Sequence, residues 1–274
     1  MINIDYSNHE IRVTTEKVSS ILETPLTLKI ISQVSHRDVW TSQLNDGWWA
    51  SFPTNEINDV EIFDKNGKFV VNKKWDVMND GNYLYKSLYL YCNNMISSGR
   101  RPKGIAIGTH DGEFGEWVPC VLSKKTDAIL VEASEPQFKL LEKYYSQLDN
   151  VELVNSLITN DGKPVEFFEG GRGYTNSIVE RVIRGWEKEE INSTLKESLS
   201  INELIKEKID WIHTDVEGYD AKLIMGIDPE KLPNFIIFEY ENLKIEEGEE
   251  LKNYLTNLGF VLEYKKVSCL AIRK

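Results

Sequence analysis

The sequence is poor in several features that define other classes of protein. Its 274 residues include only three cysteines, Cys92, Cys120 and Cys269, and no C-x-x-C pair. That scarcity disfavours a disulfide framework or a structural zinc site, and it indicates a reducing compartment such as the cytoplasm. The chain starts without a basic, apolar leader, and no apolar run approaches the ~18 residues that a membrane span needs. We therefore expect a cytoplasmic protein without a membrane span.

Positive charge is also scarce, with 32 Lys and Arg against 44 Asp and Glu and a formal net charge of -12. Nucleic-acid grooves bind phosphates with clustered Lys and Arg, so this balance disfavours a nucleic-acid partner. Hydrophobic residues nevertheless make up 41% of the chain, which is enough for a packed core. The length suits one large domain, or a core domain with a smaller appendage.

Short strands with turn signals dominate residues 26–75. Asp46-Gly47 and Asn66-Gly67 both predict hairpins, because such dipeptides favour tight primed turns. The same segment holds four of the seven tryptophans, namely Trp40, Trp48, Trp49 and Trp75. Their indole rings are open to two interpretations, a sugar-stacking site or the core of a small sheet.

Residues 103–274 alternate strands with helices, a pattern typical of a mostly parallel sheet with helices on both faces. A helix predicted over 82–96 and a linker at 97–102 precede this region. We therefore predict two domains. Residues 1–96 form a β-rich N-terminal appendage with a connecting helix, and residues 103–274 form an α/β domain.

Local signals predict further details of the α/β domain. Ser134 and Ser200 each precede Gln or Glu by three positions, which is the pattern of a helix capping box. Pro119 lies in an apolar stripe, where we expect it to kink a helix. Two apolar runs, 260–262 and 269–272, predict an antiparallel hairpin at the end of the chain.

A glycine-containing turn, Gly108-Thr109-His110-Asp111-Gly112, follows the first apolar strand of the α/β domain and opens a helix. In open α/β sheets such a turn lies at the carboxyl edge, where ligands bind. A dinucleotide fingerprint would have glycine in place of His110, so NAD and FAD are disfavoured. A ligand without phosphates, such as S-adenosylmethionine, has less need of a glycine at that position. The two glycines can also have a purely steric purpose.

An acidic residue, Glu132, ends the second strand of this domain. A carboxylate at that place can accept hydrogen bonds from both ribose hydroxyls of an adenosine. The alternative is a solvated glutamate at a strand end. Ser156, just past the third strand, reaches the same edge, either to touch the adenine or as an ordinary turn serine. The turn and the carboxylate together favour a nucleoside ligand.

Four segments resemble motifs of FkbM-type methyltransferases, in the same order and at similar distances. They are 105–112, which resembles the first motif; Val131-Glu132-Ala133-Ser134, the ribose-binding strand end; Asp215-Val216-Glu217-Gly218, the D-x-E-G motif; and Ile236-Ile237-Phe238-Glu239, the fifth strand. The resemblance covers 103–274 and implies the class I methyltransferase (Rossmann-like) fold with a seven-stranded, mostly parallel sheet. It also implies S-adenosylmethionine as donor and a hydroxyl acceptor on a glycan or small natural product.

The turn, the strand ends and the resemblance together predict a donor site. Its residues are Gly108, Thr109, His110, Asp111, Gly112, Glu132, Ala133, Ser156 and Asp215. The family usually has an acidic residue two places before the first glycine, where it helps to hold the methionine ammonium of the donor. This sequence has Ala106 there, and Asp111 and Asp215 are the nearest carboxylates that can replace it.

His213, Asp215 and Glu217 alternate at the end of the fourth strand, so the first two share one side of it. Methyl transfer needs a base within hydrogen-bond reach of the acceptor hydroxyl. We predict Asp215 near the donor methyl and the acceptor, Glu217 as the second choice and His213 as an alternative base. Alternatively, Glu217 caps the next helix and His213 is a core histidine.

The same three residues, with Asp220, also suit a magnesium site, because hard oxygen ligands bind that ion. No second segment rich in ligands supports that interpretation, so we predict no metal.

The acceptor site is predicted from a loop with three glycines in four positions, 169–177, between the third and fourth main strands. Insertions of this kind often cover active sites. The candidate substrate residues are Arg172, Tyr174, Asn176 and Ser177 in the loop, and Glu239 from the neighbouring strand. The alternative is a flexible surface connection, with Glu239 in an ion pair or a cap.

Two other functions compete with an S-adenosylmethionine-dependent O-methyltransferase. The first is a non-catalytic carbohydrate-binding or assembly module, in which the tryptophan-rich N-terminus binds the ligand and the donor site is degenerate. The second is a nicotinamide oxidoreductase, which His110 disfavours.

Overall fold

The computed structural model describes the strands of residues 2–73 and, from 83 to 273, all residues except 113–114, 123, 171–175, 188–190 and 266. The first strands are β1 (Ile2–Ser7), β2 (Glu10–Thr15), β3 (Leu26–Ser32), β4 (Asp38–Leu44), β5 (Trp49–Pro53), β6 (Asn58–Phe63) and β7 (Phe69–Lys73). They form two antiparallel sheets, with the orders β1-β2-β5 and β4-β3-β6-β7. The strands β1 and β2 precede residues 26–75, the segment in which turn signals and short strands were recognised in the sequence.

The two hairpin predictions have different outcomes. The strands on either side of Asn66-Gly67, β6 and β7, pair antiparallel, as predicted. The prediction for Asp46-Gly47 was wrong, because β4 pairs with β3 while β5 pairs with β2. A dipeptide sets only the local turn preference, whereas strand partners are chosen over a whole sheet. The side chains of the four tryptophans in this region lie outside the described residues, so both interpretations of them stay predictions.

The later strands and the helices alternate along the chain. The strands are β8 (Lys103–Ile107), β9 (Asp127–Glu132), β10 (Val151–Asn155), β11 (Leu157–Thr159), β12 (Val165–Glu169), β13 (Asn192–Lys196), β14 (Ser198–Ser200), β15 (Trp211–Thr214), β16 (Phe235–Glu239), β17 (Phe260–Lys265) and β18 (Ser268–Arg273). The helices are α1 (Tyr83–Ser97), α2 (Val118–Leu122), α3 (Glu135–Tyr145), α4 (Glu180–Trp186), α5 (Ile201–Leu204), α6 (Asp220–Met225) and α7 (Ile245–Asn257).

The main sheet of the described residues has seven strands in the order β10-β9-β8-β15-β16-β18-β17. Neighbours from β10 to β16 are parallel, and β18 lies antiparallel between β16 and β17. The predicted parallel sheet and terminal hairpin are therefore confirmed. Chain order reverses between β8 and β15, because β9 and β10 lie on one side of β8 and the later strands on the other. Such a reversal opens a crevice at the carboxyl ends of the strands.

Alternate residues of the central strands pack on opposite faces of this sheet. Ile105 and Ile107 belong to one buried cluster with Ile212. Ala106 belongs to another, together with Trp211. A strand that is buried on both faces reads as a continuous apolar run, which explains why β8 could be found in the sequence.

Helix α1 confirms the helix predicted over 82–96 and packs on the main sheet. Its residues Leu84, Leu88 and Cys92 lie in the same buried cluster as Trp211. The hydroxyl of Tyr91 donates to the carbonyl oxygen of Asp210 at 3.2 Å. The helix therefore shares a core with residues 103–274, and the division into two domains stays a prediction.

Two helix starts differ from expectation. The predicted kink at Pro119 was wrong, because α2 begins at Val118 and places the proline in its first turn, where a missing N–H breaks no helical hydrogen bond. The predicted capping box at Ser134 was also wrong. Its side chain caps no N–H group of α3 and instead donates to Oε1 of Glu169 at 3.1 Å. The capping box at Ser200 is present as predicted.

The three cysteines are free thiols, and each is buried. Within the described part of the chain, no helix combines the length and the apolar character that crossing a membrane requires.

Candidate active site

A cavity of about 240 Å³ lies at the carboxyl ends of β8, β9 and β15. Its walls come from the turn after β8, the end of β9, the connection after β10 and the residues that follow β15. This is the place where the strand order reverses, and the loops that leave β8 and β15 there diverge. The topology of the sheet therefore brings together segments that are far apart in the sequence.

The glycines of the first turn are required by the packing of the protein itself. Gly108 has a φ of 77°, and a Cβ atom there would lie 1.8 Å from the carbonyl oxygen of Asp215. Gly112 has a φ of 82°, and a Cβ atom would lie 2.3 Å from the ring of Tyr145. The steric interpretation of these glycines therefore holds, and Gly108 also lines the cavity.

His110 lies in the same turn with a φ of 51°, a left-handed conformation that is uncommon for residues other than glycine. Its backbone N–H donates to Oε2 of Glu132 at 2.7 Å. Its Nδ1 lies 3.1 Å from Oδ1 of Asp111. The histidine thus occupies the position at which a dinucleotide fingerprint has glycine, and its backbone is tied to the end of β9.

Glu132 is 7% exposed and its two oxygens are held by backbone groups. Oε2 accepts from His110 and Oε1 accepts from the N–H of Ser134 at 2.8 Å. Burial raises the pKa of this carboxyl group, although the bonds to Ser134 and His110 act in the opposite direction. Because a carboxylate has about four acceptor positions, each oxygen can still accept one bond from a ligand.

Most of the predicted donor residues line the cavity. Those that do are Gly108, Thr109, His110, Glu132, Ala133, Ser156 and Asp215. Asp111 and Gly112 are described residues that do not line it. The hydroxyl of Thr109 donates to the carbonyl oxygen of Val131 at 3.1 Å. The hydroxyl of Ser156 donates to the carbonyl oxygen of Leu157 at 3.1 Å. Both hydroxyls therefore also hold the backbone around the cavity.

His213, Asp215 and Glu217 all line the cavity. Strand β15 ends at Thr214, and Glu217 has a φ of 53°, so the chain does not stay extended as far as Glu217. The side chains still converge, because the chain bends around the cavity instead of leaving it. Glu217 is not the N-cap of α6, since Tyr219 holds that position.

Carboxyl groups around the end of β15 have raised pKa values. Burial, followed by the negative charge of Asp215, raises the pKa of Glu217 to about 8 and that of Asp220 to about 7. The same causes raise the pKa of Glu239 to about 10. The side-chain amide of Asn242 donates to Glu217 at 2.7 Å and to Glu239 at 2.9 Å. Glu239 itself lies beside the cavity without lining it.

His213 forms a buried hydrogen-bonded pair with Glu116 that no sequence signal indicated. Its Nε2 lies 2.8 Å from Oε2 of Glu116, and the two side chains are 5% and 15% exposed. Oε1 of Glu116 accepts from the hydroxyl of Ser268 at 3.4 Å. His213 is therefore a bonded core histidine and a cavity residue at the same time.

The chain matches the Methyltransferase FkbM domain over residues 106–262. This stretch contains the turn, Glu132 and the end of β15, and it is more than half of the 274 residues. The chain belongs to the FkbM methyltransferase family. Comparison with curated protein sequences gives no match.

Solved structures similar to this FkbM methyltransferase include other methyltransferases. A putative caffeoyl-CoA O-methyltransferase from Staphylococcus aureus has 10% identity and a TM-score of 0.41, with 69% of this chain and 83% of that chain covered. The fibrillarin pre-rRNA processing protein of Methanococcus jannaschii has 13% identity and a TM-score of 0.40, with 100% and 98% covered. A Podospora anserina methyltransferase with bound SAH has 13% identity and a TM-score of 0.38, with 67% and 76% covered. The order of the seven-stranded sheet and the family to which the chain belongs give it the fold of class I methyltransferases. Similarities as low as those to the solved structures say nothing about the acceptor.

Position 106 of this FkbM methyltransferase holds a buried alanine instead of the usual acidic residue. Ala106 pairs with His213 across β8 and β15. Of the two carboxylates predicted to replace the missing acid, Asp215 lines the cavity and Asp111 does not.

The glycine-rich loop is partly described. Arg172 and Tyr174 lie outside the described residues, so their predicted contacts with the acceptor are not placed. Asn176 and Ser177 line the cavity. The hydroxyl of Ser177 donates to the carbonyl oxygen of Glu217 at 2.8 Å, which ties the end of the loop to the segment after β15.

Sequence reasoning missed the apolar wall of the cavity. Leu157, Ile158, Phe167 and Ile178 contribute to it. Phe167 lies in β12, which pairs with β13 outside the main sheet. An apolar residue in a strand is ordinarily core, so no pattern in the sequence distinguished these side chains. Among the residues that the structure describes, no group of three or more His, Cys, Asp or Glu side chains is placed to hold a metal ion.

Proposed function

We propose that this FkbM methyltransferase is an S-adenosylmethionine-dependent O-methyltransferase that acts on a hydroxyl of a glycan or small natural product. One observation carries the proposal. The turn after β8, Glu132 and the segment after β15 meet in a single cavity at the point where the strand order reverses. These are the segments predicted to hold an adenosine-bearing donor.

The charge of the cavity fits that donor. Its described lining includes the carboxyl groups of Glu132, Asp215 and Glu217 and no Lys or Arg. An ionised carboxylate, such as that of Asp215, stabilises a sulfonium or an ammonium group and would repel the pyrophosphate of a dinucleotide. The side chain of His110 stands where such a pyrophosphate needs glycine. A nicotinamide cofactor is therefore a poorer match.

Particular residues are suited to each part of the donor. Glu132 has acceptor positions left for the two ribose hydroxyls, and Ser156 lies within reach of the same end of the cavity. Asp215 would hold the methionine ammonium, the task that an acid at position 106 performs elsewhere in the family. When bound, S-adenosylmethionine supplies an electrophilic methyl group on a positively charged sulfur.

The acceptor would enter beside Glu217 and Asn176. Asn176 lines the cavity and ends the glycine-rich loop, in which Arg172 and Tyr174 remain predicted contacts. Glu239 would act indirectly, through Asn242, because it does not line the cavity. The acidic balance of the chain favours a neutral hydroxylated molecule over a nucleic acid. Three free buried thiols support a reducing, cytoplasmic location.

Isothermal titration calorimetry with S-adenosylhomocysteine tests the donor site. We expect micromolar binding by the wild-type protein and its loss in Glu132→Ala, because the ribose then loses its acceptors. The matched control is Glu152→Ala, which removes an exposed glutamate from the neighbouring strand β10. This control should bind as the wild type does.

Absence of binding by the folded wild-type protein would contradict the proposal. A carbohydrate-binding or assembly module would then remain, and a glycan array would test it. If S-adenosylhomocysteine binds, labelled S-adenosylmethionine incubated with cell extract, followed by mass spectrometry of the labelled product, identifies the acceptor. If the labelled product is a nucleic acid or a protein, the proposal of a glycan or small-molecule acceptor is disproved.

A further inference from the structure

The proposed donor site gives no role to the contact between His213 and Glu116. Glu116 comes from the segment before α2, and His213 is the third residue of β15. Their 2.8 Å contact uses Nε2 of the imidazole ring. The other ring nitrogen, Nδ1, is buried and has no hydrogen-bond partner among the residues that the structure describes. His213 lines the cavity, and Nδ1 is the ring nitrogen that the contact with Glu116 leaves unused.

The contact with Glu116 decides which nitrogen carries the proton of the neutral ring. Burial raises the pKa of Glu116, but the hydrogen bond and the charge of His213, together with weaker bonds to its own backbone and to Ser268, outweigh burial, and the net pKa is lowered. Glu116 is therefore ionised at neutral pH and can only accept a hydrogen bond. Nε2 must donate to it, so the neutral ring has a proton on Nε2 and a lone pair on Nδ1. Carboxylates fix the tautomer of catalytic histidines in this way in other enzymes.

The carboxyl groups of the cavity are less suited to accept a proton. Glu217, with a pKa of about 8, is largely protonated at neutral pH, and its Oε2 already accepts from Asn242. Burial raises the pKa of Asp215, and the proposed donor ammonium would occupy its carboxylate. Of Glu217, Asp215 and His213, only the histidine offers a nitrogen, Nδ1, that has no hydrogen-bond partner within the described part of the chain.

We propose that Glu116 is a positioning residue that holds His213 with Nδ1 free, and that this nitrogen accepts the proton of the acceptor hydroxyl. The inference rests on the proposed methyl transfer. As the acceptor oxygen bonds to the methyl carbon and the carbon–sulfur bond breaks, the hydroxyl proton moves to Nδ1. The imidazolium then carries the positive charge that the donor loses, and Glu116 stabilises it across 2.8 Å.

The charges around the ring reinforce this assignment. Burial lowers the pKa of His213, but the hydrogen bond and charge of Glu116, then the charges of Asp215 and Asp220, outweigh burial and raise it. A raised pKa makes the neutral ring a stronger base. The neutral, basic form of His213 is present above the pKa of its ring. The rate of methyl transfer should therefore rise as the pH increases through the pKa of His213.

The first test determines the tautomer of His213 in the ligand-free protein by 15N NMR. The chain has four histidines, and His213→Gln assigns the signals. We expect the neutral ring to carry its proton on Nε2. A neutral ring protonated on Nδ1 would overturn the proposal, because it would have no lone pair for the acceptor.

The second test uses Glu116→Gln, which keeps an acceptor oxygen and removes the charge. We expect the pKa of His213 to fall by about one unit. The rate of methyl transfer from labelled S-adenosylmethionine to acceptors in cell extract should show the same shift in its pH midpoint. The control Glu250→Gln, at an exposed position of α7, should change neither the pKa of His213 nor the pH midpoint of the rate. A rate midpoint that stays constant while the pKa of His213 moves would show that another group is the base. If Glu116→Gln does not fold, Glu116→Asp should give a smaller shift in the same direction.

Failure of this inference can be told apart from failure of the proposed function. Calorimetry with S-adenosylhomocysteine reports the donor site alone, and the tautomer is measured without any ligand. Donor binding with the Nδ1–H tautomer would refute the role of Glu116 and leave the methyltransferase proposal intact. No donor binding by the wild type would refute both.

Discussion

At the scale of single residues, Gly108 combines two tasks that the sequence could not separate. Its place in a G-x-x-x-G turn indicates a ligand, and it does line the cavity. The structure adds that the carbonyl oxygen of Asp215 occupies the space of a Cβ atom, at 1.8 Å. The close approach of β8 and the segment after β15 therefore depends on this glycine. A side chain would separate the two strand ends that form the site.

Gly108→Ala should destabilise the protein by at least ~2 kcal/mol, because it adds both a strained left-handed φ and a backbone clash. Urea denaturation followed by circular dichroism measures the change. The control is Gly248→Ala in α7, where the added Cβ meets nothing within 4 Å beyond its chain neighbours and the backbone of its own helix. There we expect a gain of ~0.4–1 kcal/mol, since alanine favours a helix interior. Equal effects of the two substitutions would refute this account of the turn.

At the scale of elements, Ser134 and Ser200 show that one sequence pattern can have two outcomes. Ser200 accepts from the N–H of Asn202, and Glu203 bonds back to the N–H of Ser200. Ser134 has the same spacing to Gln137, but its hydroxyl donates to Glu169 instead. A hydroxyl bonds to whichever partner the tertiary fold brings nearest, and β12 brings Glu169 to Ser134.

Ser200→Ala should lower the free energy of unfolding by ~1 kcal/mol, because α5 then loses its N-cap acceptor. Ser200→Asp keeps an acceptor oxygen at the same position and should cost much less. Guanidinium denaturation of both variants provides the comparison. If alanine and aspartate cost the same, the side-chain cap contributes nothing to the stability of α5.

At the scale of the whole molecule, the order of strands places the acidic segment after β15 next to an acidic residue at the end of β16. Asp215, Glu217 and Asp220 follow β15, and Glu239 ends the neighbouring β16. Burial raises the pKa of all four, and the negative charge of Asp215 raises the pKa values of the other three further. The folded protein therefore binds more protons than the unfolded chain at pH values between the ordinary and the raised pKa values. Stability must fall as the pH rises through that interval.

The midpoint of thermal unfolding should accordingly decrease from about pH 5 to about pH 9, since unfolded carboxyl groups titrate near pH 4. The raised pKa of His213 acts in the same direction, because its stabilising charge is lost at higher pH. In Glu239→Gln the decrease should be smaller, as the group with a pKa of about 10 is gone.

Differential scanning calorimetry across this pH range measures the effect. The control Glu250→Gln removes an exposed carboxylate of α7 and should leave the slope unchanged. A wild-type midpoint that rises over the same interval would contradict the direction of these pKa shifts.

The elements that could be read from the sequence are those whose signals are local. Strand β8 is buried on both faces and therefore appears as an unbroken apolar run. Glu132 could be singled out because a fixed spacing separates it from the turn. The Asp46-Gly47 hairpin failed for the opposite reason, since its two strands have partners elsewhere along the chain.

Periodicity, turn residues and motif spacing were enough to establish the parallel sheet, the terminal hairpin and the family to which the chain belongs. They could not reveal Glu116, which lies 97 positions from its partner His213. Nor could they show that Phe167 faces a cavity, or that Glu217 and Glu239 share one amide donor. Such pairings depend on which strand ends become neighbours in space, and only packing of the whole sheet selects them. Local preferences act over a few residues, whereas the chemistry of this site arises from groups that folding brings together across the chain.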